Sequence, residues 1–151
     1  MNLDNFNEII DFAIEREKEA AEFYRYMQDV VKFKNQKELL HEYEIMEEGH
    51  ARALKSIKDG GVGTVELDDK VENLLISDYV VASKPSSEMT YQDIIIIAMK
   101  REEAAYRLYS NLEKKVEDQK LKKIFAKLSQ EELKHKLHFE KIYDNEFFKE
   151  N

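Results

Sequence analysis

The two halves of this 151-residue chain repeat each other without gaps at an offset of 85 residues. Residues 13–17, Ala-Ile-Glu-Arg-Glu, align with residues 98–102, Ala-Met-Lys-Arg-Glu. Further matched positions include Ala20 and Ala105, Tyr24 and Tyr109, Glu47 and Glu132, and His50 and His135. Most remaining positions differ, so the repeat retains a selected set of residues. A repeat on this scale predicts one structural unit that occurs twice.

Four segments carry apolar residues at helical spacing, and we predict a helix in each. The predicted helices span about residues 3–31, 35–59, 90–116 and 119–147. Only 4 glycines and 1 proline occur in the chain, and so few turn residues disfavour a many-stranded fold. The glycine cluster in residues 60–63 ends the second helix. Thr90, followed by Asp93, resembles the N-cap of the third helix.

Two helical pairs with short turns, joined by one long connection over residues 60–89, predict an all-α fold. The expected architecture is an antiparallel four-helix bundle, made of two helical hairpins joined by a single long crossover. The connection contains an apolar piece from Val71 to Val81, in which we expect one short helix at most. One such bundle accounts for the whole chain, so we predict a single domain over residues 1–151.

The composition excludes several classes of protein. The net charge is −8, from 24 basic and 32 acidic residues, so we expect no nucleic-acid partner. The longest apolar run, Ile94 to Met99, is far shorter than the roughly 20 residues that span a membrane, so we expect no membrane partner. The absence of cysteine excludes a disulfide framework and a thiolate metal site. The N-terminus lacks the basic start and apolar core of a signal peptide, which predicts a cytoplasmic location.

Six ionisable residues retained by the repeat lie on the apolar stripes of the predicted helices. They are Glu17 on the first helix, Glu47 and His50 on the second, Glu102 on the third, and Glu132 and His135 on the fourth. The Glu-x-x-His spacing puts both members of each pair on one helix face. A bare carboxylate in an apolar core is very costly, so these groups must be protonated, paired or bound to a cation.

Hairpin geometry predicts that the six residues lie at one height, because residues equidistant from a turn are level. The midpoint of Glu17 and Glu47 falls in the turn that we expect over residues 32–35. The midpoint of Glu102 and Glu132 falls at residue 117, where we expect the second turn. Four carboxylates and two imidazoles then meet near mid-bundle, where two divalent cations balance four negative charges. Iron, manganese and zinc all suit these donors.

The pattern resembles the ferritin-like superfamily, and most closely its rubrerythrin-like proteins, over essentially the whole chain. The motifs that carry the resemblance are Glu17 with Tyr24, Glu47-Glu48-Gly49-His50, Glu102 with Tyr109, and Glu132-Leu133-Lys134-His135. The resemblance implies that the six residues are ligands of two metal ions, with iron expected and manganese or zinc as alternatives. It implies that Glu47 and Glu132 are bridging carboxylates. It also implies that Tyr24 and Tyr109 lie nearby, as hydrogen-bond donors to the ligands or as redox-active phenols.

The same resemblance implies an oxidoreductase of the rubrerythrin type, which reduces hydrogen peroxide or O2 at the dinuclear centre. Because cysteine is absent, we expect no rubredoxin module, and we expect electrons from a separate donor protein. Ala105 stands where rubrerythrins carry a further carboxylate, so the six-ligand set resembles that of bacterioferritin. The alternatives are a ferroxidase or iron-handling protein, and a non-catalytic helical bundle whose inward charges bind metal or form a metal-free network.

Several features keep two interpretations. Glu131 is either a surface charge or a hydrogen-bond partner of a histidine ring nitrogen. His138 is either a spare ligand or a packing group and proton carrier at the edge of the bundle, while we expect His41 to be exposed. The apolar run Ile94 to Met99 is either buried beneath the crossover or forms a dimer face, and the resemblance implies a homodimer.

Overall fold

A computed structural model of the chain describes residues 2–3, 6–60, 74–75 and 85–147. Four helices account for most of this part of the chain. They are α1 (Phe6–Gln28), α2 (Lys34–Asp59), α3 (Tyr91–Lys115) and α4 (Gln119–Glu146), accompanied by two short strands, β1 (Asn2–Leu3) and β2 (Leu74–Leu75). The predicted all-α fold class, a ferritin-like four-helix bundle, is confirmed.

The helices form two hairpins, in which α1 packs against α2 and α3 packs against α4. Residues 29–33 connect the first pair, and residues 116–118 connect the second. Connections this short require neighbouring helices to run antiparallel. The long connection from α2 to α3 includes β2, which pairs with β1 in antiparallel fashion, with Asn2 opposite Leu75. The backbone before α1 is therefore tied to the crossover, which the sequence did not predict.

The first helix is shorter than its predicted span of residues 3–31. It starts later because the backbone of β1 pairs with β2 instead of entering the helix. It ends at Gln28, whose carbonyl accepts a hydrogen bond from Lys37 Nζ at 2.7 Å. Beyond it, the N–H of Val31 donates back to the carbonyl of Met27 at 3.1 Å. The turn that we expected over residues 32–35 therefore lies at residues 29–33.

The other helices differ from their predicted bounds by one residue at an end. Thr90 is the N-cap of α3, as the sequence predicts, and Asp93 completes a capping box with it. The Asp93 N–H donates to the Thr90 hydroxyl at 3.1 Å, and the Thr90 N–H donates to the Asp93 carboxylate at 3.0 Å. Asp118 caps α4 by accepting a hydrogen bond from the N–H of Leu121 at 3.0 Å. These caps satisfy backbone donors that the helices leave free.

The buried apolar residues form two clusters, one on each side of a polar layer. The first cluster joins the start of α1, the end of α2, the end of α3 and the start of α4, with Phe6, Leu54, Leu112 and Phe125 among its members. The second joins the opposite ends and includes Met27, Leu40, Ile95 and Phe139. The layer between them contains most of the buried charged residues of the described chain. One apolar cluster thus lies on each side of the polar layer.

Most of the predicted crossover lies outside the described residues, and so does the short helix expected within Val71 to Val81, except at β2. None of the helices in the described ranges has the length and hydropathy that crossing a membrane requires.

Candidate metal centre

The polar layer contains four glutamates and two histidines that match between the two halves of the repeat. The helices α1 and α3 contribute one glutamate each, and α2 and α4 contribute one Glu-x-x-His pair each. The exposed fractions are 2% for Glu17, 1% for Glu47, 8% for His50, 1% for Glu102, 0% for Glu132 and 9% for His135. The structure therefore brings together all six residues that the sequence proposes as metal ligands.

Two groups of four ligands overlap in this layer. One consists of Glu17, Glu47, His50 and Glu132, and the other of Glu47, Glu102, Glu132 and His135. In each group, one ligand atom from every residue lies within 4.8 Å of the other three. Glu47 and Glu132 belong to both groups, so each carboxylate has one oxygen available to either side. The arrangement can hold two cations with two shared carboxylates.

Both imidazoles turn Nδ1 toward the carboxylates. Nδ1 of His50 lies 2.6 Å from Glu132 Oε1 and 3.6 Å from Glu17 Oε2. Nδ1 of His135 lies 3.1 Å from Glu47 Oε1 and 3.4 Å from Glu102 Oε2. The two rings are nearly parallel, with centroids 6.0 Å apart. The repeat thus presents one nitrogen from each half to the same set of oxygens.

Several buried ligand atoms make no hydrogen bond of acceptable geometry within the described residues, even where two of them, Nδ1 of His50 and Oε1 of Glu132, lie close together. They are Nδ1 of His50, Oε2 of Glu17, Oε2 of Glu102, and both carboxylate oxygens of Glu132. Buried polar atoms are almost always satisfied, and leaving one without a partner costs about 1–3 kcal/mol, or more when it is charged. The orphaned atoms all point into one polar layer and are all good donors to a first-row metal ion. The donor set therefore fits a pair of divalent cations.

The electrostatics show what these side chains do without a cation. Burial, followed by repulsion from the neighbouring carboxylates, raises the pKa of Glu47 and of Glu132 well above the usual range for a glutamate. Burial also opposes ionisation of Glu102, but Glu132, His135 and Tyr24 beside it lower its pKa overall. Burial alone lowers the pKa of His50, but the adjacent carboxylates outweigh it and raise that pKa to about 11. Protons therefore take the place of cations in the metal-free layer.

Glu17 and Glu102, which each belong to only one ligand group, accept a hydrogen bond from a tyrosine. In both cases the tyrosine comes from the other half of the repeat. The Tyr24 hydroxyl donates to Glu102 Oε1 at 2.7 Å, and the Tyr109 hydroxyl donates to Glu17 Oε1 at 2.6 Å. Both phenols are fully buried, and burial together with nearby glutamates raises each tyrosine's pKa well above its usual value. They consequently remain protonated donors, and each leaves the second oxygen of its glutamate facing the ligand groups.

The structure shows the contacts of the residues for which the sequence left two interpretations open. Glu131 is a hydrogen-bond partner, because its Oε2 lies 2.6 Å from Nε2 of His50. His138 belongs to neither ligand group and is exposed. Its Nδ1 shares a hydrogen bond of 2.6 Å with the Tyr43 hydroxyl. His41 is exposed, as the sequence predicts.

Tyr43 also borders the centre, although the repeat does not retain it, since Leu128 stands at the equivalent position. Its ring meets that of His135 edge-on, with centroids 4.8 Å apart. It lies four residues before Glu47, so it occupies the same face of α2 one turn earlier. That spacing is the signal that could have identified it.

A cavity of about 30 Å³ adjoins the ligands between α1 and α3. Its lining includes Arg16 and Arg101, at equivalent positions of the repeat, as well as Ala20 and Ala105. One water occupies about 10–15 Å³ on this scale, so the cavity accommodates a molecule of about two heavy atoms. The small side chains at the two alanine positions keep this space open.

Two antiparallel hairpins around a layer of four glutamates and two histidines define a ferritin-like helical bundle with a candidate dinuclear centre. The family model for rubrerythrin matches residues 8–143, which is most of the chain. The chain belongs to the rubrerythrin family. Comparisons with curated proteins and with solved structures give no match. The family match indicates a di-iron ferritin-like protein, and the carboxylate–histidine clusters are compatible with a metal site.

Proposed function

We propose that this chain is a di-iron oxidoreductase that reduces hydrogen peroxide or O2 with electrons from a separate donor. The observation that carries the proposal is the pair of four-ligand groups that share Glu47 and Glu132. Six ligands with four negative charges match two ferrous ions in a low-dielectric interior. Manganese and zinc suit the same donors, but only iron of the three fits the family's typical di-iron centre.

When bound, two adjacent ferrous ions would supply the two electrons that, with two protons, convert one hydrogen peroxide to two waters. The protein's own residues arrange the conditions for that chemistry. Glu47 and Glu132, which belong to both ligand groups, would hold the two cations, and the tyrosine hydrogen bonds keep Glu102 and Glu17 in place. The apolar clusters on either side exclude bulk water, which strengthens every electrostatic interaction in the layer.

The cavity between α1 and α3 is our candidate entrance for the oxidant. Its volume of about 30 Å³ suits a molecule of the size of O2 or hydrogen peroxide. Arg16 and Arg101 line it, and their positive charges disfavour a cation at this position. Because these 151 residues contain no cysteine, they hold no thiolate-ligated electron carrier, and we propose that a separate protein delivers the electrons.

Iron handling is the second candidate function. It is favoured by Ala105, which lines the cavity at the position where the resemblance expects a further carboxylate. The set that remains has one glutamate and one Glu-x-x-His pair from each half, as in bacterioferritin. In that case Fe(II) is the substrate, and Fe(III) leaves the centre after oxidation.

An anaerobic titration with Fe(II), followed by oxidant, tests both candidates. We expect about two Fe(II) per chain, and we expect Glu47→Gln to lose this stoichiometry because one shared ligand becomes a neutral amide. Glu38→Gln is the matched control, since Glu38 is an exposed carboxylate on the same helix. Unchanged Fe(II) binding in Glu47→Gln contradicts the assigned centre.

Repeated additions of peroxide with a chemical reductant then separate enzyme from iron handling. An oxidoreductase consumes many equivalents of peroxide while its two irons stay bound. Iron that leaves after each oxidation, or that accumulates far beyond two per chain, supports the second candidate and contradicts the first.

The remaining proposals concern location and assembly. We propose a cytoplasmic homodimer, in which the partly buried side chains of Ile96, Ile97 and Met99 on α3 lie at the subunit contact. Light scattering of the purified chain tests the dimer, and a monomer at micromolar concentration contradicts it.

A further inference from the structure

The two ligand histidines differ in the hydrogen-bond partner of Nε2, the ring nitrogen that faces away from the ligand carboxylates. Nε2 of His50 lies 2.6 Å from Oε2 of Glu131, a half-exposed carboxylate on α4. A carboxylate accepts hydrogen bonds when it is ionised, so the Nε2–H of His50 is the donor. In the neutral ring that can bind a cation, this contact fixes the tautomer whose Nδ1 carries a lone pair. That Nδ1 is the atom that faces Glu132 and Glu17.

The repeat does not supply this carboxylate twice. At the offset of 85 residues, Glu131 corresponds to Met46. Met46 lies on α2 and is 40% exposed, and its thioether is only a weak acceptor. In the described part of the chain, the close pairs of His135 with carboxylates are all made through Nδ1. A symmetric set of ligands is therefore held by an asymmetric set of supporting residues.

We infer that Glu131 makes the two halves of the centre unequal, so that the cation held by His50 binds more tightly than the cation held by His135. A carboxylate that accepts from the outer N–H of a ligand imidazole fixes the ring and raises the basicity of the ligating nitrogen. Loss of such a partner weakens metal binding about 10–100-fold. The inference rests on the proposed dinuclear centre, and it names Glu131 as a positioning residue within it.

The consequence is an order of filling. The group of Glu17, Glu47, His50 and Glu132 takes up a divalent cation first. The group of Glu47, Glu102, Glu132 and His135 binds the second cation, which is also the first to be lost. The two shared carboxylates are common to both steps, so their contribution does not create the difference. The difference in affinity comes from the carboxylate that contacts Nε2 of His50.

A titration of the metal-free full chain with Co(II), followed by calorimetry and visible absorption, measures the two steps. We expect two dissociation constants that differ about 10–100-fold. Glu131→Gln removes the charge of the acceptor and is expected to weaken the tighter step by about tenfold or more. Glu48→Gln is the control, because Glu48 also flanks a ligand glutamate but is exposed. Circular dichroism verifies that each variant is folded.

Single-histidine backgrounds test whether Glu131 acts through His50. In His135→Ala, the remaining tight step is expected to weaken when Glu131→Gln is added. In His50→Ala, adding Glu131→Gln is expected to change nothing. An equal effect in both backgrounds contradicts the inference, because a general structural role moves both alike.

The converse variant is Met46→Glu, which offers His135 the carboxylate that its half lacks. We expect it to tighten the weaker step and bring the two constants closer together. If wild-type protein binds two Co(II) and Glu131→Gln leaves both constants unchanged, the inference is wrong while the dinuclear centre stands. If wild-type protein does not bind two cations, the proposed function itself fails.

Discussion

A buried glutamate has two oxygens to satisfy, and Glu17 and Glu102 divide theirs between a phenol and the ligand layer. The tyrosine that holds each one comes from the other half of the repeat, at 2.6 Å for Tyr109 and 2.7 Å for Tyr24. A hydrogen bond to a charged group contributes about 1.5–3 kcal/mol. Each phenol thus fixes one carboxylate and links two helices that otherwise have few contacts.

We therefore expect Tyr109→Phe to lower the free energy of unfolding of the metal-free protein by about 1–3 kcal/mol. Stability falls because the Glu17 carboxylate stays buried but no longer accepts the hydrogen bond from the Tyr109 hydroxyl. Urea unfolding measures it, and Tyr26→Phe is the control, since Tyr26 is 43% exposed. Equal losses in the two variants contradict the role assigned to Tyr109.

The cavity beside Ala105 permits a second test at the scale of one residue. Ala105→Leu is expected to fill the space of about 30 Å³ and slow the reaction of the Fe(II)-loaded protein with peroxide, while Fe(II) stoichiometry stays the same. Added bulk in a packed site costs about 1–3 kcal/mol of stability. Stopped-flow absorption measures the rate, and Ala53→Leu, at an exposed position of α2, is the control. A rate unchanged by Ala105→Leu places the oxidant entrance elsewhere.

At the scale of the element, helical periodicity and hairpin arithmetic account for most of what the sequence predicts. The stripes locate all four helices, and the equal spacing of Glu102 and Glu132 about the second turn depends only on helix rise. The residues at which a helix begins and ends are harder to predict, because tertiary contacts determine them. The pairing of β1 with β2 shortens α1, and its partner lies about 70 residues away, so no local signal reports it.

The hydrogen bond from His50 to Glu131 is one of the two interpretations that the sequence leaves open for Glu131, and the sequence alone does not choose between them. Glu131 is adjacent to a ligand and points away from the stripe of α4, which suggests solvent. It reaches His50 only because α2 and α4 meet at this height, so the rotation of one helix against the other decides the contact. The repeat, by contrast, identifies the ligands and tyrosines directly, because it retains them while their neighbours change.

Helix ends provide a third prediction. The capping box at the start of α3 satisfies two backbone donors through Thr90 and Asp93. Loss of an N-cap side chain costs about 0.5–2 kcal/mol, so Thr90→Ala is expected to lower the free energy of unfolding by about 1 kcal/mol. Ser56→Ala, at an exposed position within α2, is the control and should cause no loss. A Thr90→Ala protein as stable as wild type excludes a contribution from this cap.

At the scale of the whole molecule, the candidate centre opposes the folding of the metal-free chain. Glu47 and Glu132 have raised pKa values in the folded state, so the folded state binds more protons than the unfolded state above about pH 4.3. The pKa of His50 rises to about 11, so its stabilising effect is complete below about pH 6.5 and is lost as the pH rises further. Glu102 has a lowered pKa and loses its contribution only at acidic pH.

We therefore expect the free energy of unfolding of the metal-free protein to fall between pH 6 and pH 8, by up to about 1.4 kcal/mol per pH unit for each proton released. Divalent cations reverse the sign, because they bind the deprotonated ligands and displace these protons. The rise in melting temperature on adding Zn(II) should thus increase with pH over the same range. Urea unfolding and thermal melts at three pH values measure the two trends.

Glu47→Gln separates these opposing trends within one molecule. Its neutral amide removes one of the buried carboxylates, so the metal-free variant is expected to be at least as stable as wild type at pH 8 and to lose less stability as the pH rises. The same change removes a shared ligand, so Zn(II) should no longer raise the melting temperature as it does in wild type. A variant that is less stable without metal, yet stabilised by Zn(II) as strongly as wild type, contradicts both assignments. That pattern would identify a layer in which cation binding is favoured at the expense of metal-free stability.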